Sequence, residues 1–158
     1  KEYRRQRQMC IRDSFKGRLN PKNVTKFITH MGPCIEVVGF RQKKKGIKYL
    51  GDLCSDFGVN IKFITGPKKK FKKLNLNNLK TNLKNNKGLN VKGNTNTVYI
   101  NPLNSLKFVL NKIRKEKVKL EKDFYVFTGS TVGVVPIKNK GEYIGKVDKI
   151  GSVRTTIN

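Results

Sequence analysis

Between Gly32-Pro33 and Gly39 the chain runs Cys34-Ile35-Glu36-Val37-Val38, a β-branched stretch with a carboxylate in its middle. Branched residues favour a strand, and the Pro and Gly on either side set its ends. Glu36 is the constraint. An ionised carboxylate buried without a partner costs several kcal/mol, so a Glu inside such a strand has two readings. Either the strand is covered on one face only and Glu36 points outward, or a cation or metal ion holds it. The residues alone leave both open.

The flanking segments have readable periodicities. Asn20-Pro21 followed by Lys22 to Ile28 predicts a short helix with Asn20 as N-cap and Pro at the first helical position. Ile47, Leu50, Leu53, Cys54 and Phe57 fall at helical spacing, with Gly58 as the C-cap. Val59, Ile61, Phe63 and Thr65 then alternate with Asn60, Lys62 and Ile64, predicting a strand closed by Gly66-Pro67. Asn85-Asn86-Lys87-Gly88 reads as a hairpin turn inside a Lys- and Asn-rich stretch. Asn101-Pro102 opens the clearest helix, whose apolar face is Leu103, Leu106, Val109, Leu110 and Ile113. Phe124 to Phe127 predicts a buried strand leading into Thr128-Gly129-Ser130, and further strands are expected around Tyr143 to Val147 and Ser152 to Ile157. Short hairpin links dominate the C-terminal third. The expected class is α+β: a mixed, mostly antiparallel β-sheet roll or sandwich with a few short helices.

The formal charge of +26 would ordinarily point to nucleic acid or an anionic surface. The basic residues are 28 Lys to 8 Arg, however, and Lys, Asn and Ile share A/T-rich codons. Arg, the residue suited to forked phosphate and base contacts, is scarce. A coding bias explains the balance, and no specific nucleic-acid partner is expected. Cys10, Cys34 and Cys54 form no CxxC pair, which argues against a zinc site or a disulfide scaffold and for a reducing, cytoplasmic setting. The lone His30 falls in a connection and reads as structural. No apolar run approaches the roughly 20 residues that span a bilayer, no secretory signal is recognisable, and no membrane partner is expected.

Residues 1–14 lack apolar periodicity and hold half of the arginines. Met9-Cys10-Ile11-Arg12-Asp13-Ser14 is also what a transposase mosaic-end oligonucleotide, ATGTGTATAAGAGACAG, encodes when read from its ATG. Residues 1–14 are therefore expected to be non-native or a disordered basic segment, and residues 15–158 a partial catalytic domain.

Pro33-Cys34-Ile35-Glu36-Val37-Val38, with Arg41 following, resembles the PAxExxDSR strand of the hydratase/decarboxylase branch of the fumarylacetoacetate hydrolase superfamily. Asp56 through Gly66-Pro67 is similar to that family's next turn and strand, and Asn101-Pro102-Leu103-Asn104-Ser105-Leu106 to its NPLNAL helix start. Thr128-Gly129-Ser130-Thr131 with Val134, Pro136 and Ile137, and then Ile150-Gly151-Ser152-Val153, complete the order. The resemblance implies a lyase acting on 2-oxo or 2-hydroxy-dienoic acids, of the 2-keto-4-pentenoate hydratase kind found in aromatic catabolism. A 2-oxo-3-hexenedioate decarboxylase or acylpyruvate hydrolase of the same superfamily is the alternative, and a basic nucleic-acid-binding module is the alternative of another class.

The cofactor implied is Mg²⁺ or Mn²⁺, held by three carboxylates, of which Glu36 matches one. The other two, a Glu-x-Glu pair, belong shortly before Phe15, so the chain is expected to lack them and to be inactive alone. The metal would stabilise an enolate formed from a chelated 2-oxo acid. Thr128, Gly129 and Ser130 match the turn at the substrate's carboxylate end, and Asp56 matches a further substrate contact. Phe57-Gly58-Val59-Asn60 departs from the family's Asn and Ser there. Lys62 does not match the catalytic lysine of the hydrolase branch and reads as a strand-surface residue. The implied partner is a small 2-oxo acid, with homo-oligomerisation at full length. No catalytic acid or base is assigned.

Overall fold

The structure is a computed structural model and describes residues 19–20, 22–41, 48–119 and 123–158. Residues 1–14, Pro21 and Ile47 lie outside the described residues. Eight strands form three antiparallel sheets among the described residues. The largest is four-stranded, in the order β6 (Asn90–Asn94), β5 (Lys80–Asn85), β7 (Gly141–Val147), β8 (Gly151–Ile157). A second pairs β2 (Cys34–Val38) with β3 (Asn60–Thr65), and a third pairs β1 (His30–Met31) with β4 (Lys69–Lys70). Two α-helices, α1 (Leu50–Ser55) and α2 (Pro102–Lys115), accompany short 3₁₀ turns. The α+β, mostly antiparallel class read from the sequence is the class observed.

Local chemistry explains most element ends. The side-chain oxygen of Asn101 accepts from the Leu103 N–H at 2.9 Å, so α2 starts capped, with Pro102 inside its first turn. The Asn85 side chain accepts from the N–H groups of Lys87 at 2.9 Å and Leu89 at 2.8 Å, fixing the β5–β6 hairpin. The Asn20 side chain accepts from the N–H groups of Lys22 at 2.9 Å and Asn23 at 3.0 Å and closes a turn, but the N-cap position falls on Asn23 and not on Asn20 as expected. Only one 3₁₀ turn, Val24–Phe27, follows it. Branched and aromatic residues there (Val24, Thr25, Phe27) are poor helix propagators, so the cap does not extend into an α-helix.

Two packing centres hold the layers. Leu19, Val24 and Leu110 are buried together, with Phe27, Leu103 and Leu106 packed on them, so the α2 stripe meets the first turn as its spacing predicts. Ile35 of β2 packs over the four-stranded sheet. A methyl group at Gly145 would come within 3.1 Å of Ile35 and 3.3 Å of Val153. At Gly66 it would meet the Ser152 carbonyl oxygen at 2.7 Å, so Gly-Pro here is a close backbone crossing.

Two expectations are corrected. The helix around Leu53 is six residues long, and its intended apolar face is open: Leu50 is 75% and Phe57 81% exposed. So short a helix gains little by itself. Phe124 to Phe127 is not a strand, and Phe124, Tyr125 and Phe127 are exposed. Ring stacking replaces a backbone ladder there, since Phe63 and Phe127 lie parallel with centroids 3.6 Å apart. For β2 the structure has the one-face arrangement of the two left open by the residues. Ile35 and Val37 are half-buried while Cys34, Glu36 and Val38 are exposed, the alternation of a strand covered on one face.

Candidate active site

Residues directly opposed in an antiparallel pair share a face, and Glu36 pairs with Phe63 across β2 and β3. Ile35 opposite Ile64 faces the sheet below, so Glu36 and Phe63 occupy the other side. Phe63 stacks on Phe127, the residue just before Thr128. The register of one hairpin and one ring stack therefore brings Glu36 and the Thr128–Ser130 turn, far apart in sequence, to the walls of one cleft.

That cleft has a volume of about 2730 Å³, and Glu36, Phe63, Phe127, Thr128, Gly129 and Ser130 are among its lining. It exceeds the roughly 300–1,000 Å³ of a closed small-molecule site, so it is a trough between layers. Asp56 and Lys62 are not part of its wall.

Each side chain is held by a distinct device. Glu36 accepts a hydrogen bond at Oε1 from the Asn60 side-chain amide at 2.7 Å. Arg41 donates to the Asn60 carbonyl and to Asp56 Oδ1, the latter at 2.9 Å, while its backbone N–H donates to Asp56 Oδ2 at 3.1 Å. Asp56 is buried, with both oxygens occupied by Arg41. Hydrogen bonding from the Arg41 guanidinium, then from its backbone, holds the Asp56 carboxyl below its ordinary range against the opposing effect of burial. In this geometry Asp56 anchors Arg41, and Arg41 anchors the residue that holds Glu36.

The turn is fixed from two sides. Ser105 in the first turns of α2 donates to the Thr128 carbonyl at 3.0 Å, linking the Asn-Pro helix start to the turn. Asn94 of β6 donates to the Thr131 carbonyl at 3.2 Å. Gly93 lets this happen, because a β-carbon there would overlap the Thr131 carbonyl group. Ser130 Oγ donates to Gly133 O at 2.9 Å, and Gly129 has φ of +127°. Among the described residues the N–H groups of Gly129 and Ser130 have no hydrogen-bond acceptor. Unpaired N–H groups at a glycine turn can receive an anion.

Sequence reasoning missed Asn60, Thr81, Lys68 and Tyr125. Asn60 was legible only as the off-face residue of a strand, and its partner depends on a register shift between Val37 and Val38. Thr81 lines the cleft with a buried hydroxyl that has no hydrogen-bond partner among the described residues. Cys34 is an exposed residue, but partial desolvation of its thiol, with the Glu36 charge adding to it, raises its pKa and leaves it a poor nucleophile.

The donor set tests the implied metal. Among the described residues, no three His, Cys, Asp or Glu side chains stand close enough to hold one ion. Among the described residues the carboxylates of the cleft lining are Glu36 and Asp123, and two carboxylates outside any three-ligand cluster do not by themselves make a site for a cation with the octahedral demands of Mg²⁺.

No family model matches the chain, and no curated protein does. Among solved structures the chain is similar to a 4-oxalocrotonate decarboxylase from Pseudomonas putida G7, complexed with magnesium and adipate. The TM-score is 0.72 at 22% sequence identity, covering 85% of this chain. The two share a fold. The chain spans about half, 51%, of the length of that protein.

Among the described residues no helix is long and apolar enough to cross a membrane.

Proposed function

We propose that this chain carries part of the active-site cleft of a divalent-metal-dependent lyase of the fumarylacetoacetate hydrolase superfamily. Its substrates are 2-oxo or 2-hydroxy-dienoic acids, with hydration as the primary reaction and decarboxylation the alternative. The observation that carries this reading is the meeting of Glu36 and the Thr128–Ser130 turn in one cleft. The fold likeness to a decarboxylase complexed with magnesium and adipate supports it.

In this reading the N–H groups of Gly129 and Ser130 bind and orient the substrate carboxylate. Glu36 supplies one hard oxygen ligand for Mg²⁺ or Mn²⁺, its angle fixed by Asn60. The remaining ligands lie outside the described residues, so these account for binding and orientation and for no chemical step at the metal. Asp56 contributes to substrate binding indirectly, through Arg41 and Asn60.

The test is metal-dependent turnover of 2-hydroxy-2,4-dienoates and 2-oxo-enedioates. The chain alone, with excess Mg²⁺, is expected to be silent. The same chain following a Glu-x-Glu strand is expected to turn over one of the two, and Glu36→Gln to abolish that while circular dichroism stays unchanged. Wild-type activity and metal dependence in the Glu36→Gln protein would remove Glu36 from the ligand set.

A further inference from the structure

Thr81 in β5 is 5% exposed, and its hydroxyl has no hydrogen-bond partner among the described residues. Thr95, as deeply buried, shows the ordinary arrangement: its hydroxyl donates to the Leu76 carbonyl at 2.6 Å and accepts from the Leu79 N–H at 2.9 Å. Buried polar groups are nearly always paired, so an unmet hydroxyl is a net cost to the fold. Register locates it. Thr81 stands opposite Gly93 of β6 and Val147 of β7, two residues along from the Leu83–Gly145 pair. Ile35 packs over Gly145, and residues two apart on a strand share a face. Thr81 therefore lies on the covered face of the four-stranded sheet, where it lines the cleft.

The segment that carries the anion-accepting turn covers the same spot. A β-carbon on Gly93, directly opposite Thr81, would lie 2.9 Å from Thr81 Oγ1 and would overlap the Thr131 carbonyl oxygen. The hydroxyl and that carbonyl thus flank a single point, and the carbonyl is already engaged by the Asn94 N–H at 3.2 Å. Thr131 follows Ser130 directly, and neighbouring Cα atoms are about 3.8 Å apart, so Thr81 Oγ1 is within a small ligand's reach of the Gly129 and Ser130 N–H groups. A carboxylate has two oxygens with about four lone-pair sites, so two N–H groups leave room for a third donor. We infer that the Thr81 hydroxyl is a further substrate-binding group, donating to the carboxylate end of a 2-oxo acid seated at the Thr128–Ser130 turn. The inference rests on the cleft reading proposed above and adds a donor to it from the sheet beneath. A bound carboxylate offsets the cost of the unmet hydroxyl, which is why a fold can retain one there.

The experiment is an NMR titration of the full isotope-labelled chain with pyruvate, beside urea denaturation of the same proteins. Pyruvate is expected to shift the Gly129, Ser130 and Thr81 amides in wild type. Thr81→Val keeps the shape and removes the hydroxyl. It is expected to bind pyruvate about tenfold more weakly, the loss of one hydrogen bond to a charged group, while its urea midpoint holds or rises. Thr81→Ser, which keeps the hydroxyl, is expected to retain most of the affinity. Wild-type affinity in Thr81→Val overturns the role of Thr81 and leaves the cleft reading standing. A lowered urea midpoint or failure to fold in Thr81→Val also overturns it, because the hydroxyl then serves the fold. Equal loss of affinity in Thr81→Ser and Thr81→Val assigns the loss to packing and overturns it likewise. Absence of any pyruvate shift at Gly129 and Ser130 in wild type overturns the cleft reading, and this inference with it.

Discussion

Adding one methyl group should have opposite consequences at two glycines of this chain. At Gly93 in β6, a β-carbon would overlap the Thr131 carbonyl oxygen and lie 2.8 Å from the Thr131 carbonyl carbon and 2.9 Å from Thr81 Oγ1. The first two are backbone atoms of the segment that carries the Thr128–Ser130 turn, and they cannot yield by changing a rotamer. Overpacking in well-filled interiors costs about 1–3 kcal/mol, and a backbone clash belongs at the upper end. The turn must also leave β6, breaking the Asn94 N–H to Thr131 O bond, worth about 1 kcal/mol. Gly93→Ala should therefore lose roughly 4 kcal/mol, lowering Tm by about 8–16 °C in a domain of this size. At Gly51, inside α1, nothing lies within 4 Å of the added methyl. Ala there gains helix propensity, up to about 1 kcal/mol. Urea denaturation of both variants beside wild type checks the pair, with the Gly93→Ala midpoint expected to fall and the Gly51→Ala midpoint to hold or rise. A Gly93→Ala protein within about 0.5 kcal/mol of wild type, a surface-like value, would refute the contact between turn and strand on which the site rests.

Asp56→Asn should destabilise in a pH-dependent way. The folded pKa of Asp56 is depressed, so its contribution is complete above its unfolded value near about 3.9 and fades as pH falls through the lower folded value. Urea midpoints of wild type and variant should differ at neutral pH and converge in acid; a gap that persists below both pKa values would assign the loss to packing. Despite the charge of +26, duplex and single-stranded nucleic acid should bind weakly and without sequence preference, falling by about 10³-fold or more between 50 and 200 mM salt. Nanomolar, sequence-selective binding at physiological salt in a fluorescence titration would promote the nucleic-acid reading.

The strongest local signals proved reliable because their chemistry is local. Asn101-Pro102 with its apolar stripe, and the Asn85–Gly88 turn, specify their own hydrogen bonds, and tertiary packing agrees with them. Phe124 to Phe127 shows the limit. Four apolar residues read as a buried strand, yet their burial depends on partners that sequence periodicity does not name, and a ring stack took the place of a ladder. The strain at Ile100, a branched residue with φ of +68° just before the helix cap, is equally invisible from the sequence. Glu36 and the Gly-Ser turn, singled out by their motifs, line one cleft. Asn60, Lys68 and Tyr125 were not legible in the sequence, because each acquires its contact from a neighbour 24 or 57 residues away. The Arg41–Asp56 pair turns a residue read as a substrate contact into an anchor two steps removed from the cleft.

The central claim is that Glu36 and the Thr128–Ser130 turn face one ligand. The most direct measurement is paramagnetic broadening by Mn²⁺ in the labelled chain, followed by pyruvate titration in the same sample. Even weak Mn²⁺ association should broaden the Glu36 neighbourhood first, and pyruvate should then shift Gly129 and Ser130. Glu36→Gln should remove the broadening and leave the fold unchanged. Broadening centred instead on Asp52 or Glu116, or pyruvate shifts that avoid the turn, would contradict the account.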